Sequence, residues 1–100
     1  MTVSVRVTPG SATRADALAA FAADGCSAPR PWGNGPGTGY GRHAHDRAKV
    51  LFCLAGSIVF HTDGGDLPLS AGDRLDLPAG TDHAATVGPS GCECVEAWGP

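Results

Sequence analysis

The second half of this chain is cut by turn sequences at short intervals, and that spacing limits what it can fold into. Asp63-Gly64-Gly65, Ala71-Gly72-Asp73, Pro78-Ala79-Gly80 and Gly88-Pro89-Ser90-Gly91 combine glycine or proline with small residues that favour tight reversals. The runs between them are shorter than an average helix and rich in valine, leucine and other strand formers. They predict strands over 40–45, 49–55, 57–62, 66–70, 73–78, 83–87 and 92–98, with Gly56 turning the hairpin between the second and third. With an N-terminal strand added, that is enough to close a small barrel or sandwich.

The first part of the chain is different. An alternating stretch, "TVSVRV", reads as an edge or exchange strand, and Pro9-Gly10 ends it. One short helix is expected in "SATRADALAAFAADG". Thr13 caps it with Asp16 three residues on, Ala15, Leu18, Phe21 and Ala22 recur at helical spacing, and Gly25 supplies the stop. Residues 27–41, "SAPRPWGNGPGTGYG", carry too much glycine and proline for regular structure and read as a loop anchored by Trp32 and Tyr40. One hundred residues support a single domain over 1–100, with strand, helix and loop in 1–39 and the barrel in 40–98.

Charge and composition exclude several function classes. A net charge of -3 without any lysine or arginine cluster gives no electrostatic basis for binding a phosphate backbone, so nucleic acid is not expected as a partner. No apolar run approaches the ~20 residues of a membrane span, and "MTVSVRVTPG" lacks the pattern of a secretory signal. The expectation is a cytoplasmic protein with Cys26, Cys53, Cys92 and Cys94 reduced. Cys92 and Cys94, two apart in a strand, share a face and read as small core residues.

The chemistry concentrates on histidines. His43 and His45 stand two apart, so in a strand both project to one face with their ring nitrogens near a common point. Four positions after His45 comes Lys49, which opens a strand whose inward face is expected to carry Lys49, Leu51 and Cys53, with Val50, Phe52 and Leu54 opposite. His83 emerges just after the Pro78-Ala79-Gly80 turn. His61 reads as an exposed hairpin-end residue, Asp82 as pointing away from its neighbour's site, and Arg42 and Arg47 as solvated rim charges.

These positions resemble the cupin superfamily. Its first motif, G-x5-HxH-x3,4-E-x6-G, is matched by Gly37, His43, His45 and Gly56, with Lys49 where the motif has glutamate. The second, G-x5-PxG-x2-H-x3-N, is matched by Gly72, Pro78, Gly80 and His83, with Val87 in place of asparagine. The resemblance implies an all-β fold, a small jelly-roll (double-stranded β-helix) barrel with one short N-terminal helix, and His43, His45 and His83 meeting near its open end. It also implies a divalent transition metal as cofactor. Three imidazoles without a carboxylate suit iron, zinc, nickel or copper better than manganese or magnesium.

Lys49 makes this site unusual. An ammonium a few ångströms from a divalent cation is repelled by roughly several kcal/mol at an effective dielectric of ~20. Three outcomes relieve the repulsion: Lys49 loses its proton and acts as a base, pairs with a carboxylate such as Glu96, Glu93 or Asp76, or stays charged to hold an anionic substrate. The expected function is a metalloenzyme of dioxygenase, isomerase or lyase type acting on a small anionic metabolite, with Lys49 as substrate anchor or acid/base. The alternative is a non-catalytic small-molecule-binding or sensor module without metal. A homodimer is expected, with the N-terminal strand protecting a sheet edge.

Overall fold

A computed structural model of the chain describes residues 5–100. In order, the elements are β1 (Arg6–Thr8), α1 (Arg14–Ala23), β2 (Arg30–Asn34), β3 (Gly39–His43), β4 (Lys49–Thr62), β5 (Gly65–Ser70), β6 (Arg74–Leu77) and β7 (His83–Trp98). All pairings are antiparallel. The sheet runs β1-β6-β4-β7-β2, while β3 also pairs with β7 and β5 with β4. This is the all-β architecture with one helix that the turn spacing predicts.

Two long strands organise it. Residues 49–55 and 57–62 form the single strand β4 rather than a hairpin, and 83–87 and 92–98 form the single strand β7. Gly56 and the 88–91 segment bend these strands instead of reversing them. The β4·β7 register shifts on both sides of Gly56, as at β-bulges. Gly56 has φ 69°, and a Cβ there would lie 2.0 Å from the Gly91 carbonyl oxygen, so only glycine lets the two strands cross so closely. Bent in this way, each strand contributes to both walls of the barrel.

The apolar residues divide into two cores. The barrel interior holds Leu51, Cys53, Ile58, Phe60, Leu69, Leu75, Leu77, Ala85, Val87, Cys92 and Cys94. Val87, at the motif's asparagine position, is simply part of this packing. On the outside, α1 lies against β4 and β7 through Ala17, Phe21, Val50, Phe52, Val95 and Ala97, with Phe21 edge-on to Phe52 at 5.5 Å. The inward and outward sets expected for 49–53 are those observed. All four cysteines are free, and Cys53, Cys92 and Cys94 are buried.

Three expectations are corrected. The helix begins at a Thr13–Asp16 capping box as predicted, but it buries Ala17 and Phe21, while Ala15, Leu18 and Ala22 face solvent. Two residues four apart suffice because the helix meets the sheet along a narrow line. Residues 27–41 are not one loop: β2 pairs with β7 from Arg30↔Glu96 to Asn34↔Cys92. Pro31 is tolerated because β2 is an edge strand. Finally, β3 ends at His43, so His45 projects from the turn beyond it. Of "TVSVRV", residues 5–7 are described, with Arg6 and Val7 in β1, which pairs with the chain's own β6; residues 2–4 lie outside the described residues.

Candidate metal centre

Two local devices bring the histidines together. His43 on β3 lies directly across from His83 on β7, after a register shift between Tyr40 and His43. The carbonyl of His45 accepts a 2.7 Å hydrogen bond from the Gly80 amide, which ties the segment after β3 to the Pro78-Ala79-Gly80 turn. The ring centroids stand 4.8 Å apart for His43–His45, 4.3 Å for His43–His83 and 5.3 Å for His45–His83. One potential ligand atom from each lies within 4.8 Å of the others.

The surrounding bonds fix which nitrogens are available. His43 Nδ1 lies 2.6 Å from the Gly41 carbonyl oxygen, and His83 Nδ1 lies 2.9 Å from that of Thr81. A carbonyl only accepts, so both Nδ1 atoms carry the proton and Nε2 is left as the donor nitrogen. Thr81, not Asp82, therefore orients His83. Burial, reinforced by Lys49, His43 and His83, pushes the His45 pKa below its ordinary value; Glu96 opposes the shift. Burial is also the main cause of the lowered pKa of His83, only partly countered by its bond to Thr81. Both imidazoles are thereby held neutral at pH 7, the form a metal requires.

Lys49 is at the site, and the second of its three options is the one observed. Its Nζ sits 3.2 Å from Glu96 Oε2 and 3.3 Å from His45 Nε2, over the Trp98 ring at 5.1 Å. Glu96 is in turn held by Arg30 Nη2 at 2.8 Å and by Trp32 Nε1 at 2.7 Å. Only 11% of either charged side chain of the Lys49–Glu96 pair is exposed. The other two carboxylates take no part: Asp76 pairs with Arg74, and Glu93 faces solvent. The three histidines, Lys49, Glu96 and Trp32 face a cavity of about 300 Å³ whose apolar wall includes Leu51 and Phe60.

The remaining candidates fall outside the cluster. His61 bonds Asp66 and Thr86 on the outer face of the sheet. Arg42 pairs with Asp63 at the surface, whereas Arg47 stacks over Trp98 at 5.8 Å and bonds the Gly99 carbonyl oxygen. Trp32 and the clamping role of Glu96 are not apparent from the motifs. The signal for Glu96 lies in "CECVEAW": it shares strand parity with the buried Cys92 and Cys94, so a carboxylate points inward there.

Three imidazoles converging on one point, two with their tautomers set by backbone carbonyls, fit a borderline divalent ion such as zinc, iron, nickel or copper and leave positions open for a ligand.

A small antiparallel barrel with a three-histidine cluster at one end defines a class, and the comparisons agree. The cupin domain family matches residues 34–96, and the chain belongs to that family. It is 36% identical over 50 residues to an oxalate-binding protein of Thermotoga maritima, covering 49% of this chain and 41% of that protein. The chain therefore spans less than half the length of this relative. Among solved structures, an RmlC-like cupin from Shewanella frigidimarina superposes with TM-score 0.64 at 26% identity, covering 72% of this chain and 64% of that one. A chain from a study of DMSP lyases gives TM-score 0.67 at 27% identity, covering 72% and 37%. A double-stranded β-helix protein from Klebsiella pneumoniae gives 0.63 at 25%, covering 72% and 65%.

Proposed function

We propose that this cupin is a metalloprotein that holds a divalent transition metal (iron, zinc, nickel or copper) on His43, His45 and His83 and presents Lys49 to a small anionic ligand. The observation that carries the reading is the convergence of three ligand atoms within 4.8 Å at the mouth of the barrel cavity. Such an ion, when bound, supplies Lewis-acid polarisation of a ligand oxygen. The chain's own residues do the rest. Lys49 supplies the cation of the cavity lining, and its ammonium, beside the histidines, is the group placed to meet an anion. Leu51 and Phe60 keep water from the inner side of the cavity, and Trp98 confines the Lys49 ammonium.

The relatives point to two uses of such a site. The oxalate-binding relative supports capture of a small carboxylate, and the lyase neighbour supports an enzyme of lyase, isomerase or dioxygenase type, with Lys49 as anchor or acid/base. We favour a small carboxylate as the ligand in either case, because the cavity is small and the Lys49 ammonium lines it next to the histidines. Four free thiols suit a reducing, cytoplasmic setting. β1, at one end of the sheet, is the edge we assign to a homodimer contact. Light scattering at tens of micromolar tests the dimer, and a monomeric mass rejects it.

Titration of the purified protein with zinc, nickel, iron and copper, with His43→Ala as control, tests the metal site. Tight binding of one ion per chain that His43→Ala abolishes is expected. Wild-type binding no tighter than the variant's removes the metalloprotein reading. Oxalate, pyruvate and 2-oxoglutarate titrated into the metal-loaded protein then test the ligand class, and failure of all three removes the carboxylate.

A further inference from the structure

A buried cation beside a metal cluster needs an answering charge, and the structure contains one on the neighbouring strand. We infer that Glu96 is the charge-compensating and positioning residue of the three-histidine site, the group that allows Lys49 to lie against His45 without driving a divalent ion away. This rests on the metal reading above.

Glu96 is itself held rigidly. Its two oxygens take separate partners: Oε1 accepts from Trp32, while Oε2 accepts from Arg30 and meets Lys49 at 3.2 Å. It is 8% exposed, and no buried side-chain nitrogen or oxygen lacks a partner among the described residues. A carboxylate so held cannot turn away without abandoning three donors. Lys49 is fixed by it from one side, and its remaining contacts are His45 Nε2 and the face of Trp98. The carboxylate thus sets where the ammonium stands and cancels its field at the same point. Because both charges are equally buried, solvent screens neither, and the cancellation is local.

This arrangement makes opposite predictions for the two members of the pair. Removing the carboxylate leaves the Lys49 ammonium uncompensated beside the histidines, and removing the ammonium leaves the carboxylate there with only Arg30, on its outer side, as a cationic partner. Removing both restores the original balance. A residue that merely supports the fold would not give effects of opposite sign, nor be rescued by deleting its partner.

The test is a double-mutant cycle on zinc affinity, measured against a competing chromophoric chelator, with thermal melts and the fluorescence of Trp32 and Trp98 to confirm folding. Glu96→Gln keeps the shape and an oxygen acceptor for Trp32; it is expected to weaken zinc binding about tenfold, whereas Lys49→Met strengthens it about tenfold. The double variant should return to within about threefold of the wild type. Zinc affinity of Glu96→Gln within about twofold of wild type, or a double variant no tighter than Glu96→Gln, overturns the inference. If Glu96→Gln does not fold, Arg30→Gln replaces it. Arg30 is half exposed and reaches the site only through Glu96. Its removal frees more of the carboxylate's charge to offset Lys49 and should tighten zinc binding about threefold; no change or weakening overturns the inference. Wild-type zinc binding no tighter than that of His43→Ala removes the metal reading, and the inference with it. That failure shows itself before any change at residue 96.

Discussion

The two halves of the β4·β7 ladder share one interior but treat their outer faces in opposite ways. In the half formed by 49–54 and 93–98, Val50, Phe52, Val95 and Ala97 point outward under α1. In the half formed by 58–62 and 83–87, the outer face carries His61, which bonds both Thr86 and the surface Asp66. The covered half therefore reads "KVLFCL", apolar on both faces, and the open half reads "SIVFHT", with polar residues returning. A strand buried on two sides loses its alternation, and one buried on a single side keeps it. The covered half also carries Lys49 and Glu96. A rigid, doubly packed backbone is the better place to hold two buried charges at a fixed separation.

The bend joining the halves is the place to break the comparison. Gly56→Ala puts a Cβ 2.0 Å from the Gly91 carbonyl oxygen at a positive φ, and the chain is expected not to fold to a cooperative native state. A normal thermal melt would show that the two strands need not cross there. Next in size, Phe52→Ala in the covered half should cost about 3–5 kcal/mol in chemical denaturation, since it opens a cavity against Phe21.

Acid should act on the site itself. His45 and His83 have pKa values lowered by burial, so below about pH 6.5 the unfolded chain binds protons that the native state refuses. Their contribution is present above that pH and is lost as the pH falls. The melting temperature of metal-free protein should fall between pH 7.5 and 5.5, and His45→Gln should flatten the slope. An unchanged slope would mean that His45 is not held neutral.

Two smaller effects sharpen the contrast. Thr13→Ala removes the capping box of the helix that covers the first half and should cost about 1 kcal/mol. His61→Ala, on the open outer face, should change stability by no more than about 0.5 kcal/mol. An effect of His61→Ala as large as that of Phe52→Ala would show that the open half is covered in solution.

Much of this molecule is legible in its residues. The turn sequences mark five of the strand ends, Thr13 and Asp16 mark the helix start, and the spacing of His43, His45 and His83 marks the histidine cluster. The alternation of Lys49, Leu51 and Cys53 with Val50 and Phe52 assigns both faces of β4 correctly. Elsewhere local signals mislead. Gly56 and Gly88-Pro89-Ser90-Gly91 look like hairpin turns because a bulge in a long strand needs the same backbone freedom as a reversal. β2 is hidden because its stability comes from pairing with β7, not from the propensity of "RPWGN".

The sequence by itself determines the strand-rich fold, the helix start, the histidine triad and the presence of a lysine beside it, since each rests on spacing along the chain or on one residue's own chemistry. Only the tertiary structure decides that Lys49 pairs with Glu96 rather than Glu93 or Asp76, that Arg30 and Trp32 hold that carboxylate, and that backbone carbonyls of Gly41 and Thr81 set the imidazole tautomers. The ion-pair contacts join residues far apart in the chain, and the choice among three carboxylates depends on which of them the bent strands turn inward.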